Sequence, residues 1–496
     1  QNTANATFYA TISGGLGNTA SGYASMVGGG RGNTASGVCS FVGGGCGNTA
    51  SGARATVSGG QGNTASATQA VVAGGISNTA SGYASSVGGG LANGASASYA
   101  TVSGGYGHGA FAVYSTISGG KYNATSALWS TVSGGYANLV SVISGFVGGG
   151  YFNKVCNSAS PCSSYGAVVV GGVGNNTTGG TWSLASCCFT VNPTICNAGQ
   201  YSFIGGGFQN RATGTGSAIS GGDTNTASGL QSFIGGGCIN TASGIWATIA
   251  GGRENLVSGK DSVIGGGAAN TASGYRSSIL GGVSNIANAA YTTIGGGLSN
   301  CTTTSYATVS GGVSNCATNS YDTVGGGYNN KSTGGFTYSV GHTNTASGYL
   351  STVTGGYNNT ASADGAAVGG GRSNTASGLQ SVVAGGNGNT ANTTRATVGG
   401  GLSNTASGVS STVAGGQSNT ASGYRAFVGG GISNSATTNN TTVSGGYANT
   451  ACGTNSVVAG GICNLASGTN SAVGGGCANW ADRKSTRLNS SHIPLS

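Results

Sequence analysis

Charge is what this chain has least of. Of 496 residues, 15 are Lys or Arg and six are Asp or Glu, with three histidines and three prolines. So little proline, with no Gly-X-Y period, excludes collagen. No run of 18 apolar residues occurs, so no segment would cross a bilayer as a helix. The 105 glycines exclude a coiled coil or helical bundle. Disordered chains are richer in charge and poorer in Val and Ile than this one. A repetitive β architecture is left, provided the glycines recur at a fixed interval.

They recur every fifteen residues. With Asn18 as repeat position one, equivalent slots follow at Asn33, Asn48, Asn63, Asn78, Asn93, His108, Asn123, Asn138 and Asn153. The period resumes at Asn210, runs to Asn330, slips by one residue, and continues from Asn344 to Asn479. About thirty units share the consensus N-T-A-S-G-Y-A-S-T-V-G-G-G-x-x, the signature of one stacked array. Position ten is apolar (Val27, Val42, Val57; later Ile219, Ile234, Ile249), position eight is nearly always Ala or Ser, and position three is mostly Ala. Charges fall at two, seven and fourteen, as in Arg211, Arg54 and Arg31. This alternation predicts two short strands per repeat, positions two to four and eight to ten, with glycine turns at five and at twelve to thirteen. The fold class expected is all-β, a parallel β-solenoid or β-roll. Thirty coils at about 4.8 Å would make a rod of roughly 140 Å. So thin an interior also predicts lateral self-association.

The units Asn78–Gly90 and Asn404–Gly416, N-T-A-S-G-x-x-S-x-V-x-G-G, resemble the head repeats of trimeric autotransporter adhesins. That resemblance implies a left-handed roll, a homotrimer, and attachment to matrix proteins or surface glycans. Two departures stand out: that family's commonest repeat is fourteen residues, and no stalk or anchor barrel is present. The chain is therefore expected to be a fragment or to be anchored differently.

The expected organisation is solenoid over 1–153, an insertion loop over 154–200, solenoid over 201–481 and a foreign tail over 482–496. The insertion holds Cys156, Cys162, Cys187, Cys188 and Cys196, expected to pair as Cys156 with Cys162 and Cys196 with Cys187 or Cys188. A zinc site is the competing reading, though the segment has no histidine and no spaced C-x-x-C pair. Cys301 and Cys316 share position two on successive coils, and Cys463 and Cys477 fall at fifteen and fourteen of neighbouring coils, so both pairs lie within disulfide reach. Paired register points to an oxidising, extracellular or cell-surface setting. Sequons at Asn5, Asn123, Asn175, Asn176, Asn300, Asn330, Asn358, Asn392, Asn439 and Asn440 are candidate glycosylation sites, most of them read as turn or degenerate positions. The tail from Asp482 to His492 abandons the repeat and resembles the translation of a sequencing adapter.

No catalytic, cofactor or metal site is expected. Outside the tail, His108, His342, Asp223, Glu254, Asp261, Asp322 and Asp364 are spread along the chain. Calcium repeats of the Gly-rich kind need an Asp on each nine-residue turn. The basic residues are scattered, so no nucleic-acid patch emerges. Tyrosines recur at position six (Tyr23, Tyr83, Tyr275) and fourteen (Tyr106, Tyr136, Tyr151), where they could stack on sugars or simply suit a sheet corner. The reading favoured is an extracellular, non-enzymatic adhesive or structural fibre. Its alternatives are a filament subunit that polymerises end to end and, below that, an ice-binding solenoid that uses Thr at two and Ser at four.

Overall fold

The computed structural model describes all residues except 6–8, 157–164, 184–185, 187, 196, 483–486 and 489–496. It divides into two compact units, Gln1–Asp261 and Ser262–Ser496. Each is a parallel β-solenoid, with no helix among the described residues.

One coil shows how the repeat becomes structure. Thr19–Ala20, at positions two and three, pairs in register with Thr34–Ala35 of the next coil. Met26–Val27, at nine and ten, pairs with Phe41–Val42. A third ladder, absent from the expected two, runs through position fourteen as single parallel bridges, Leu16 to Arg31 to Cys46. Most backbone N–H groups donate forward to the next coil, as Thr19 does to the Asn33 carbonyl (2.7 Å) and Met26 to that of Ser40 (2.9 Å). Corner positions seven and fifteen donate backward instead, Cys39 to Tyr23 and Gly32 to Leu16. That reversal requires the left-handed backbone region, which even bulky residues such as Tyr99 (φ 59°) and Trp129 (φ 54°) adopt here.

The interior is narrow and repeats closely over most coils. Ala20, Val27, Ala35 and Val42 are fully buried, as are Asn18 and Asn33. One buried Val contributes about 1.5–3 kcal/mol, so a coil is stable only as part of the stack. The two glycine sites share one demand and differ in another: at both, a Cβ would lie 2.1 Å from the carbonyl oxygen of the glycine fifteen residues on. Gly30, at thirteen, has a φ of +90° that L side chains rarely adopt. Gly22, at five, has no such constraint; a Cβ there would lie 2.1 Å from the Gly37 carbonyl oxygen, so it is glycine because neighbouring coils approach too closely.

The stretch 154–200 is not one loop. Lys154–Val155 still pairs with Leu139–Val140, and Val168–Val169 pairs with both Phe146–Val147 and Phe203–Ile204. Extra chain enters twice, between Val155 and Tyr165 and between Asn176 and Ala198, around a regular half-coil. The second insertion contains the antiparallel pairs Thr177–Thr178 with Thr194–Ile195 and Thr181–Ser183 with Cys188–Val191. Its Trp182 and Phe189 rings meet edge to face at 5.1 Å, and Phe189 packs on Phe152 at 5.9 Å, which fixes the hairpin to the roll.

In the second unit the one-residue slip is a bulge. Val324 pairs with Ser339 and Gly326 with Val340, leaving Gly325 without a partner. Of the tail, Arg487–Leu488 pairs with Ala472–Val473. The rest of the tail after Asp482 lies outside the described residues.

Candidate functional site

The residue that organises each coil is the position-one asparagine, which the sequence reading used only as a register mark. Asn33 is buried; its Oδ1 accepts from the Asn48 N–H (2.9 Å), and its Nδ2 donates to the carbonyls of Gly29 (2.8 Å) and Gly45 (3.0 Å). The same triad recurs through the array and crosses both insertions, with Asn175 N–H on Asn153 Oδ1 (3.0 Å) and Asn210 N–H on Asn175 Oδ1 (2.9 Å). A buried amide with its groups paired is inexpensive to bury, and it ties three successive coils together.

His108 takes the place of Asn in this column. Its Nδ1 accepts from the Asn123 N–H at 3.1 Å, so its proton sits on Nε2. Nε2 is buried and has no well-aligned acceptor. Burial holds the imidazole below its ordinary pKa, against the opposing pull of the Gly120 backbone.

The ladder also sorts the candidate glycosylation sites. Asn123, Asn175, Asn300 and Asn330 are buried, with their Nδ2 atoms donating to glycine carbonyls, and Asn176 is buried with Oδ1 accepting from the Ala212 N–H (3.0 Å). The expectation that these five project from turns is corrected: no glycan fits there in the folded chain. Asn358, Asn392, Asn439 and Asn440 are exposed, and Asn5 is half-buried.

Among the cysteines, Cys301 and Cys316 form a disulfide with a Cα–Cα distance of 4.8 Å, the coil spacing itself. Cys463 and Cys477 are free and exposed, because the bridge register sets Ile462, not Cys463, beside Cys477. Cys156 is a free buried thiol, pushed up by burial and so unreactive, and Cys188 is also free. Cys162, Cys187 and Cys196 lie outside the described residues.

The dispersed acids and histidines do not converge: among the described residues no three His, Cys, Asp or Glu side chains come together as a metal site. Asp223, Glu254 and Asp364 are exposed. Asp322 is fully buried at position eight and accepts from the N–H groups of Asn319 (2.8 Å), Gly335 (2.9 Å) and Thr337 (3.1 Å) and from the Thr337 hydroxyl (2.7 Å). It is a structural carboxylate. His342 stacks between Tyr328 and Tyr357 at 4.8 and 4.9 Å.

What faces outward is arrayed in columns. At position seven, Tyr291, Tyr306, Tyr321 and Phe336 stack face to face with centroids 5.0, 4.8 and 4.6 Å apart. Tyr275 and Tyr349 close the two ends edge-on. This column was missed in the sequence, although the fifteen-residue recurrence of Tyr291, Tyr306 and Tyr321 announces it. At position fourteen, Tyr136 and Tyr151 stack at 4.8 Å, and Lys121 lies 5.2 Å from the Tyr106 ring centre. No protein-family model and no curated protein sequence matches the chain. Among the described residues no helix is long and apolar enough to cross a membrane.

Proposed function

We propose that this protein is a non-enzymatic, extracellular structural and adhesive protein whose left-handed roll associates as a homotrimer and attaches to matrix proteins or surface glycans. The observation that carries the reading is the ordering of outward side chains into columns one coil apart, with the buried asparagine amides engaged in the roll's own hydrogen bonds. Such a molecule offers repeated surfaces rather than an enclosed reaction site. The Cys301–Cys316 disulfide supports an oxidising setting. The aromatic columns supply edges and phenol hydroxyls for a flat polymeric partner.

The test is binding of the purified chain to immobilised matrix proteins and glycans, together with its mass by light scattering. Saturable binding that weakens when Tyr306 and Tyr321 become Ser, by a species of three chains, is the expected result. A monomer that binds none of these surfaces overturns it. A mass that grows with concentration would favour the end-to-end filament.

A further inference from the structure

Beyond adhesion, we propose that the sheet face carrying Thr345 to Thr420 binds ice. Six consecutive coils put threonine at position two, Thr345, Thr360, Thr375, Thr390, Thr405 and Thr420, paired in register without a slip. Two residues on, the same face presents Ser347, Ser362, Ser377, Asn392, Ser407 and Ser422. The alanine between each pair points inward and is fully buried, as with Ala376 and Ala391. Two parallel ranks of small polar groups therefore cover one flat face.

Their spacing is set by the backbone. Along the stack, position-two residues repeat at the coil interval, measured at 4.8 Å between the Cα atoms of Cys301 and Cys316 in the same column of this unit. Across the strand, the ranks lie about 6.6 Å apart, two residues of parallel strand. This is a two-dimensional net with fixed periods in both directions, repeated over six coils.

Three further observations favour ordered water over another occupant. Among the described residues the six threonine hydroxyls have no hydrogen-bond partner, which leaves them to solvent. The threonines are half-buried, so the β-branched side chains are held by their neighbours while hydroxyl and methyl stay accessible. Within these six coils charge is sorted off the face: Arg372 stands at position fourteen, and Arg395 and Arg425 at position seven, while Lys331 borders it on the coil before Thr345. A protein or anionic partner would be met by those charges; a neutral crystal lattice is met by a neutral, rigid, periodic plane that needs no reordering to bind. The opposite sheet face of the same coils is mixed, with Thr352, Ala367, Val382, Thr397, Thr412 and Phe427 in succession, and presents no such net.

The test uses the full chain and reads freezing directly, by thermal hysteresis and crystal shape in a nanolitre osmometer. Faceted crystals and a measurable hysteresis gap are expected. Thr375→Lys, Thr390→Lys and Thr405→Lys combined should reduce the gap at least tenfold, whereas Val382→Lys, Thr397→Lys and Thr412→Lys on the opposite face should leave it intact. Thr390→Val, which keeps the shape and the fold, should reduce the gap in part, so a misfolded lysine variant does not leave the question open. Round crystals with no gap from the wild-type chain overturn the proposal, as does equal loss from both lysine triples. Adhesion without hysteresis would leave the function proposed above standing and remove this one alone.

Discussion

Within the second unit, two stretches solve the same packing problem differently. From Ala346 to Ala481 the interior repeats Ala at three, Val at ten and Asn at one, with Ala, Ser or Thr at eight. From Asn300 to Ser339 it turns polar: Thr302, Asp322, Ser332, Thr337 and Ser339 are all buried. At the short coil, Ser332 and Ser339 replace the inward Ala and Val and bond each other at 2.9 Å. The Cys301–Cys316 disulfide and the ring stack from Tyr291 to Phe336 lie on this same stretch. Where the interior loses apolar contact, a covalent link and stacked rings hold the coils from outside. A uniform roll needs only its repeat; an irregular one needs staples.

The comparison is broken most severely by removing the element both stretches share. Asn389→Ala leaves the Gly385 carbonyl and the Asn404 N–H without partners and takes one of two donors from the Gly401 carbonyl, and should cost about 2–6 kcal/mol. Amide hydrogen exchange should show protection lost in the coils on either side; unchanged protection would mean the ladder is dispensable. Next, Cys301→Ser with Cys316→Ser opens a fifteen-residue loop and should cost about 3 kcal/mol. Exchange should rise around Asp322 and Ser339 and stay unchanged beyond Val368. An equal rise throughout would contradict local stapling.

Exchanging the two interiors sharpens the contrast further. Val398→Ser puts a hydroxyl into the apolar stretch and should destabilise it by about 2–3 kcal/mol. Ser339→Val should stabilise the short coil by about 1 kcal/mol, since the Ser332 hydroxyl keeps the Thr323 carbonyl. Urea midpoints of the two variants should move in opposite directions.

The smallest effect is expected at His108, in the first unit. Its folded pKa lies below the unfolded value of 6.5, so the unfolded chain binds the extra proton more readily. The stability of its coil should therefore be complete above about pH 6.5 and fall as pH drops through that value toward the folded pKa. His108→Asn should abolish this dependence, measured as exchange of the Asn123 amide against pH. A variant with the same pH profile would exclude His108 as its source.

Much of this was legible in the residues. Val27 at ten and Ala20 at three read as inward because no charge ever occupies those columns, and the 4.8 Å disulfide at Cys301 and Cys316 follows from shared register. The asparagine ladder was not legible, since Asn beside glycine reads equally as a turn residue or a sequon; only coil-to-coil geometry shows its amide enclosed. Nor was the backward bonding that forces Tyr99 and Trp129 into a left-handed corner. Within 154–200 the excess of cysteine and proline hid a regular half-coil, because Val168–Val169 fits the roll only once its partners are known.

The sequence alone determined the coil: its fifteen-residue length, which residues turn inward, and which carry charge, because periodic burial leaves a periodic record. Tertiary structure decided what lies between coils. The direction of each hydrogen bond, the closeness that demands Gly22, the sealing of Asn123 against a glycan and the alignment of Thr345 with Thr420 are relations between residues fifteen or more apart. They arise when one coil stacks on the next, and no single repeat contains them.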